Sequence, residues 1–373
     1  MGCVNYYNSL NPSFLRNKCF NDFMVNVEIS DDFNLLKKIQ RESQTDNALY
    51  KPGPYWMHKT RNAVFEIKRK GLSNFRGFDN GATTSFGDNP LIDFRTQLNT
   101  SSLNILFGHT INLLAPFKMA FNEARSIAKV QFEFGLEYKN QIRINDKRVA
   151  SLIEKYSSLY TLLGNPVDVI GMQNGEKFSN HYLDLIYSQE AFDDSAGFAT
   201  ANSFMEIGGG FGANIHILIE RYPNIKKFLY VDISPNLYVA VQYLKAFYGS
   251  SVRYASSEFH SKISFSESDE LEIICLLPSS IENVNASVDI FWNAHSFVEM
   301  PKEVVANYAR HVLRFIPQRG MRICLLSYDR FDLDTTFDPS ELSNLFNVDF
   351  AVESVSTLNP DRCNFHLYAN NLI

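Results

Sequence analysis

The residue types best placed to do chemistry sit in the stretch FMEIGGGFGAN, where a short apolar run ends in Glu206 and four glycines follow within five positions, Gly208 to Gly212, broken only by Phe211. Glycines at that density leave no side chains to pack, which predicts a backbone that a ligand approaches closely. Asp232 closes the next apolar run, 24 residues beyond Gly208. A carboxylate at that point of a strand-helix-strand unit is placed to accept hydrogen bonds from both hydroxyls of a ribose. GGGFGA also satisfies the G-x-G-x-x-A fingerprint, so a nicotinamide- or flavin-dependent oxidoreductase is a competing reading. Glu206 weighs against it. A carboxylate directly before the glycines would repel a pyrophosphate, whereas it could accept hydrogen bonds from a cationic nucleoside that bears an amino acid.

A second group of candidates follows the apolar run VDIFWNA: Asn293, His295, Ser296 and Glu299 in NAHSFVEM. An imidazole, with an ordinary pKa of about 6.5, suits removal of a proton from a weak oxygen nucleophile, so His295 is the first candidate for a general base. Glu299 could orient that base, bind a substrate hydroxyl or ligate a divalent ion; its bland alternative is a first-turn charge that complements a helix dipole. Asn293 and Ser296 could bind substrate or cofactor, and Ser296 could equally cap the next helix. His181, in SNHYLD, is the reserve candidate for base or substrate contact. The spacing of Asp289, His295 and Glu299 matches no metal-ligand pattern, so no metal site is assigned and dependence on a divalent ion stays open.

These residues need a scaffold that brings turns after separate strands together. From Ser203 the texture alternates: SFMEI, KKFLYVDI, LEIICLL, VDIFWNA and MRICLLSY read as short buried strands, with helices such as GANIHILIERYP, PNLYVAVQYLKAFYG and KEVVANYARHVLRFI between them. This pattern specifies a doubly wound α/β domain with a parallel sheet covered on both faces, and DFAVESVSTL with CNFHLYAN supplies an antiparallel terminal pair. Before about residue 190 the chain reads as mostly helical, in DDFNLLKKIQRES, in the run 103–138 and in KRVASLIEKYSSLYTLL. YKPGPYW and LLGNPVDVIGMQNGEKFS read as loops.

Bulk composition narrows the class. With 373 residues, 45% of them hydrophobic, the chain can bury a large core. It has no apolar run of the roughly 18 residues that cross a bilayer, and its first residues lack a leader pattern, so a cytoplasmic protein without an integral membrane segment is expected. Five scattered cysteines argue against a disulfide framework or a zinc site, and Cys275 and Cys324 read as buried thiols. A net charge of −6 provides no footprint for nucleic acid. The basic stretch HKTRNAVFEIKRKGLSNFRG is the exception, read as a solvated helix face ahead of a polyanion site.

The motifs E-x-G-x-G-x-G and the acidic end of the following strand resemble motifs I and II of the class I S-adenosylmethionine-dependent methyltransferases. FMEIGGGFGAN, YVDISPNLYVAVQYLKAFYG, CLLPSSIE and FWNAHSFVEMPKEVVANYARHVLR, in that order, resemble the sugar O-methyltransferase family. So do YKPGPYWMHKTRNAVFEIKRKGLSNFRG and LLGNPVDVIGMQNGEKFSNHYLDLIYSQEAF upstream, which brings coverage to most of residues 50 to 330. The resemblance implies a Rossmann-like, seven-stranded methyltransferase sheet in 191–373, preceded by a helical acceptor-selecting or dimer-forming region in 1–190. It implies S-adenosylmethionine as cofactor, with S-adenosylhomocysteine as product, and cofactor contacts from Glu206, Gly208, Gly210, Gly212, Asp232 and Asn293. Asn236, Gln242, Ser296 and Glu299 become cleft-lining candidates. The implied acceptor is a sugar hydroxyl of a glycan or of a nucleotide- or lipid-linked precursor. His295 occupies a variable position of the family's N-x-x-S-F pattern, whereas plant small-molecule O-methyltransferases place a catalytic His just after the fourth strand. A phenolic O-methyltransferase and a non-catalytic binding scaffold remain the other readings.

Overall fold

The computed structural model describes residues 27–44, 47–77, 147–156, 162–167, 169–171, 177–256, 262–316, 322–328, 337–356 and 363–369. The helically spaced run 103–138, Cys3 and Cys19 lie outside the described residues. In chain order the elements are α1 (Phe33–Gln44), α2 (Pro54–Lys70), α3 (Lys147–Tyr156), β1 (Val169–Gly171), β2 (Lys177–Ser179), α4 (Asn180–Ala196), β3 (Ser203–Ile207), α5 (Ala213–Arg221), β4 (Lys227–Val231), α6 (Asn236–Tyr248), β5 (Val252–Ala255), β6 (Glu272–Leu276), β7 (Ile290–Ala294), α7 (Lys302–Phe315), β8 (Arg322–Tyr328), α8 (Pro339–Phe346), β9 (Ala351–Ser356) and β10 (Cys363–Ala369).

The fold is α/β. Its main sheet has the order β5-β6-β4-β3-β7-β8-β10-β9. The first six strands pair in parallel, and β10 runs antiparallel to both β8 and β9. Among the described residues the sheet thus has eight strands where the resemblance implied seven; the addition is the edge strand β5. Its four residues, VRYA, are too few to carry a readable alternation, yet Val252 and Ala255 are buried while Arg253 faces out. Arg253 bonds the Ser264 carbonyl and Glu272, placing a charge on the open edge, where it discourages pairing with another chain.

Period-two alternation along the strands divides the core between two faces. Phe204, Phe228, Tyr230, Cys275, Trp292 and Cys324 point to one side, where α1, α4, α5 and α6 cover them. Met205, Ile207, Leu229, Val231, Ile274 and Phe291 point to the other, under α7 and α8. Both expected buried thiols, Cys275 and Cys324, are free and buried.

N-terminal residues take part in these layers. Leu36 and Ile39 of α1 join the first core and Tyr50 the second. α4 is one helix running through residues 190 and 191. The β1–β2 hairpin falls in a stretch that reads as loop, because each strand has only three residues. The basic stretch is in part the expected solvated face, with Arg61, Lys68 and Arg69 exposed on α2, while Glu66, with no exposed surface, pairs with Arg69 and Lys70, and Arg76 is buried. Among the described residues no helix is long and apolar enough to cross a membrane.

Candidate active site

β3 is where the strand order turns: β4 and β6 lie on one side, β7 and β8 on the other. Ligands in open α/β sheets sit in the crevice that such a reversal opens beyond the strands' carboxyl ends. A cleft lies there, enclosing about 1120 Å³ of empty space that is partly open to solvent, between the turns after β3, β4 and β7 and the N-terminal segment Tyr50–Trp56.

The turn after β3 is built by its glycines. Gly208, Gly210 and Gly212 take φ values of +76°, +66° and +86°, the left-handed region in which an L side chain is strained. A Cβ on Gly208 would stand 2.4 Å from Ser296 Oγ, so the turn rests directly against the loop after β7. Gly212 then opens α5, whose first two residues are Ala213 and Asn214.

Glu206 lies under this turn, 1% exposed. Its Oε1 accepts from Asn214 Nδ2 at 2.9 Å, and its Oε2 is buried without a hydrogen-bond partner. The Asn214 amide is oriented by a relay, since Gln189 Nε2 donates to Asn214 Oδ1 and Arg221 donates to Gln189 Oε1, each at 2.8 Å. Burial, reinforced by the charge of Asp232, pushes the Glu206 pKa up to about 8, against the lowering effect of Asn214.

Asp232 is fixed by donors. Its Oδ2 accepts from Gly210 N–H at 2.9 Å and its Oδ1 from Ile233 N–H at 2.7 Å. The Tyr230 hydroxyl lies 2.9 Å from Asp232 Oδ2 and 2.5 Å from the Gly210 carbonyl. Burial raises the Asp232 pKa to about 7 despite these donors and Asn236, all of which favour the ionised form. Asn236, at the start of α6, lines the cleft beside it.

On the β7 side, His295, Ser296 and Glu299 line the cleft. His295 holds a left-handed backbone, φ +66°, and its N–H donates to the Leu326 carbonyl at 2.8 Å, which pins the loop to β8. Instead of capping a helix, Ser296 Oγ donates to the Ile207 carbonyl at 3.1 Å and accepts from Asn293 Nδ2 at 2.6 Å. Asn293 also donates to the Ile207 carbonyl at 2.9 Å and accepts from Phe297 N–H at 3.2 Å. The Asn293 side chain therefore clamps the β7 loop to the end of β3 rather than lining the cleft.

Glu206, Gly208, Gly210, Asp232, Asn236, His295, Ser296, Glu299 and His181 converge on one cleft. Gly212 and Gln242 do not: a Cβ on Gly212 would meet the Leu244 side chain at 3.0 Å rather than the cleft, and Gln242 Nε2 donates to the Ser30 carbonyl at 2.6 Å, tying α6 to the N-terminal segment. Asp289 stands at the opposite end of β7, accepting from the N–H groups of Asn202 and Ser203. Among the described residues no group of three or more His, Cys, Asp and Glu could hold a metal ion.

Sequence reasoning expected the N-terminal region to cap the cleft but singled out none of the Tyr50–Trp56 residues that form its wall. Tyr50 is anchored by its hydroxyl, 2.6 Å from Glu282 Oε1 and 3.0 Å from His311 Nε2. Trp56 Nε1 donates to Glu299 Oε2 at 3.0 Å, across 243 positions of sequence. A Cβ on Gly53 would stand 3.0 Å from Pro301 Cδ, so a glycine there lets this segment seat on the β7 loop. The YKPGPYW stretch reads as a loop, but Pro54, Tyr55 and Trp56 open α2, and nothing in it reveals where the segment docks. Asn214 was also missed, although it stands two positions after the last glycine.

No family model and no curated protein matches the chain. Among solved structures it is similar to the N-methyltransferase NodS from Bradyrhizobium japonicum WM9, at 12% identity and a TM-score of 0.38 over 52% of this chain and 98% of that one. Magnesium protoporphyrin IX methyltransferase (ChlM) from Synechocystis PCC 6803, with bound SAM, is similar at 12% identity and a TM-score of 0.35, over 62% of this chain and 96% of that one. The mitomycin 7-O-methyltransferase MmcR is similar at 12% identity and a TM-score of 0.34, over 51% of this chain and 57% of that one. Likeness at this level decides neither activity nor substrate, which rest on the chain's own cleft.

Proposed function

We propose that this chain is an S-adenosylmethionine-dependent O-methyltransferase whose acceptor is a sugar hydroxyl, carried on a glycan or on a nucleotide- or lipid-linked precursor. Glu206 carries the cofactor half of that reading. It is a buried carboxylate with one oxygen unpartnered, roofed by glycines and facing a cleft that holds a second carboxylate, Asp232. Two buried carboxylates favour a ligand that brings positive charge and hydrogen-bond donors, and oppose a pyrophosphate. Asp232 is anchored by two backbone donors, Gly210 and Ile233 N–H, and a ligand hydroxyl would take the place of one of its side-chain donors, Tyr230 or Asn236.

When bound, S-adenosylmethionine supplies a methyl group on a positively charged sulfur, and the neutral thioether product leaves without acid assistance. Glu206 and Asp232 hold and orient the ligand, and the Gly208–Gly212 backbone closes on it. His295, on a loop pinned at both β3 and β8, takes the proton from the acceptor hydroxyl as its oxygen attacks. Glu299, oriented by Trp56, accepts a hydrogen bond from the acceptor. The resemblance of NAHSFVEM and DISPNLY to sugar O-methyltransferases supports the acceptor class. The Tyr50, Trp56 and Tyr308 rings beside the cleft suit a sugar face. On this reading residues 1–190 cap the cleft and select the acceptor, and 191–373 hold the cofactor.

The test is calorimetric titration of the protein with S-adenosylhomocysteine and, separately, NADH, repeated with Asp232→Ala. Micromolar affinity for the former, lost in the variant, is expected; no binding, or preference for NADH, refutes the cofactor assignment. Nucleotide sugars, methyl glycosides and catechols are then assayed for S-adenosylhomocysteine release, with His295→Ala as control. Turnover of catechols alone would overturn the sugar assignment.

A further inference from the structure

The loop Gly208–Gly212 has one side chain with any bulk, Phe211, and that ring is fully buried on the side away from the cleft. Glycine-rich backbone is entropically expensive to hold in one conformation, so whatever fixes Phe211 fixes the loop. The socket around it comes from distant parts of the chain. The Phe75 ring meets it edge-on at 5.2 Å between centroids, Tyr243 at 4.9 Å and nearly perpendicular, and His181 at 5.5 Å. The Arg76 guanidinium carbon lies 5.1 Å from the Phe211 centroid and 5.4 Å from that of Tyr182.

Arg76 is 2% exposed, and charged side chains are rarely buried unless their position matters. It is held at both ends: its NH2 group donates to Ser179 Oγ at 2.5 Å and its backbone N–H to the Gly164 carbonyl at 2.8 Å. Gly164, at φ +83°, passes so close to Phe75 that a Cβ there would stand 2.2 Å from the ring. Phe75 and Arg76 are thus locked against the 162–165 turn and presented to the glycine loop as one unit. Beyond them the hydroxyls of Tyr182 and Tyr243 are hydrogen-bonded, and Tyr243 lies 2.6 Å from His216 Nδ1. Burial lowers the His216 pKa to about 3, so this ring stays neutral and Arg76 supplies the cation that faces the aromatic faces.

We propose that Arg76, with Phe75, is a positioning residue for the cofactor loop: it clamps the Phe211 ring from behind and so fixes the Gly210 N–H that holds the Asp232 carboxylate in its ligand-binding orientation. This rests on the proposed S-adenosylmethionine site and adds that the site is incomplete without the N-terminal region. Pre-organising a loop in its bound form raises affinity without any contact to the ligand. Loss of the clamp should therefore appear in cofactor affinity and not only in stability.

The experiment is a double-mutant cycle on the full chain, with Arg76→Met, Phe211→Leu and the double variant, read as the Kd for S-adenosylhomocysteine well below each melting temperature. Each single variant should weaken binding about tenfold, and the double variant no more than about threefold beyond the weaker single, because both break one clamp. Arg76→Lys, which keeps a cation beside the rings and is the milder change should Arg76→Met fail to fold, should recover part of the loss. Melting temperatures that fall while Kd stays within about twofold of wild type, or losses that add fully, overturn the proposal. A wild-type protein that does not bind S-adenosylhomocysteine overturns the cofactor assignment itself, and that is known before any variant is made.

Discussion

Cofactor affinity should depend steeply on pH below neutrality, because the two carboxylates of the cleft hold protons that a ligand must displace. In the unliganded protein burial raises Glu206 to about 8 and Asp232 to about 7. A ligand with an ammonium group and ribose hydroxyls stabilises the ionised forms, so binding releases protons wherever the free protein still carries them. The pair titrates together, and the slope of log Kd against pH counts the protons released. It should be near zero above about pH 8.5, near minus one between about 7 and 8, and approach minus two below 7, so that binding at pH 6 is weaker than at pH 9 by a factor on the order of 1,000. Calorimetry with S-adenosylhomocysteine in buffers of different ionisation heat measures the slope and the proton count independently. A flat Kd between pH 6 and 9 with no proton release would refute the reasoning.

The same groups set the sign for stability. Both folded pKa values lie above their unfolded ones, so between roughly pH 4 and 8 the native state binds more protons than the unfolded chain. Their stabilising contribution is fully present below the unfolded values and is lost as pH rises through about 7 and 8. Unliganded protein should therefore melt progressively lower from pH 5 to 8.5. Glu206→Gln should remove one proton from the linkage and raise stability at pH 8.5 by on the order of 4 kcal/mol, since a neutral amide avoids the buried charge. At pH 5, where Glu206 is protonated, the same substitution should be close to neutral; equal effects at both values would mean that its carboxylate does not titrate in this range.

Three further outcomes follow from single contacts. Gly208→Ala forces a side chain into a left-handed position and within 2.4 Å of Ser296 Oγ, and should weaken S-adenosylhomocysteine binding at least about tenfold with a loss of about 1–3 kcal/mol in urea unfolding. Asn293→Ala removes the clamp between β3 and β7 and leaves a buried carbonyl with one donor fewer; it should cost about 1–2 kcal/mol in the same assay and reduce turnover more than cofactor affinity, because the loop it releases carries His295. The chain has two tryptophans, of which Trp292 is fully buried and Trp56 lines the cleft. Titration with an accepted sugar substrate should change intrinsic fluorescence in wild type and leave Trp56→Phe silent; a fluorescence change that persists in the variant would place the acceptor away from this wall.

What could be read from the sequence was whatever local chemistry dictates. Glycines that only a left-handed turn requires, a carboxylate closing the neighbouring strand and apolar runs of strand length located the β3 turn, Asp232 and most of the sheet before any coordinates. β5 escaped because four residues at an edge carry no period, and Asn293 was assigned to the cofactor because a polar residue after a strand looks the same whether it faces a ligand or a carbonyl of its own chain. Gln242 misled for a related reason: a buried amide on a cofactor-side helix satisfies the Ser30 carbonyl, and nothing near either residue in sequence records that pairing. The N-terminal residues that wall the cleft or back its glycine turn, Tyr50, Trp56, Phe75 and Arg76, lie more than 125 positions before that turn. Their types fit a loop or a basic helix equally well, and only packing distinguishes a solvated arginine from one clamped between two rings. Local patterns therefore sufficed for the glycine-turn side of the cleft, where backbone conformation sets the shape. The acceptor side depends on long-range docking, and the acceptor must be found by assay on a protein whose N-terminal wall is intact.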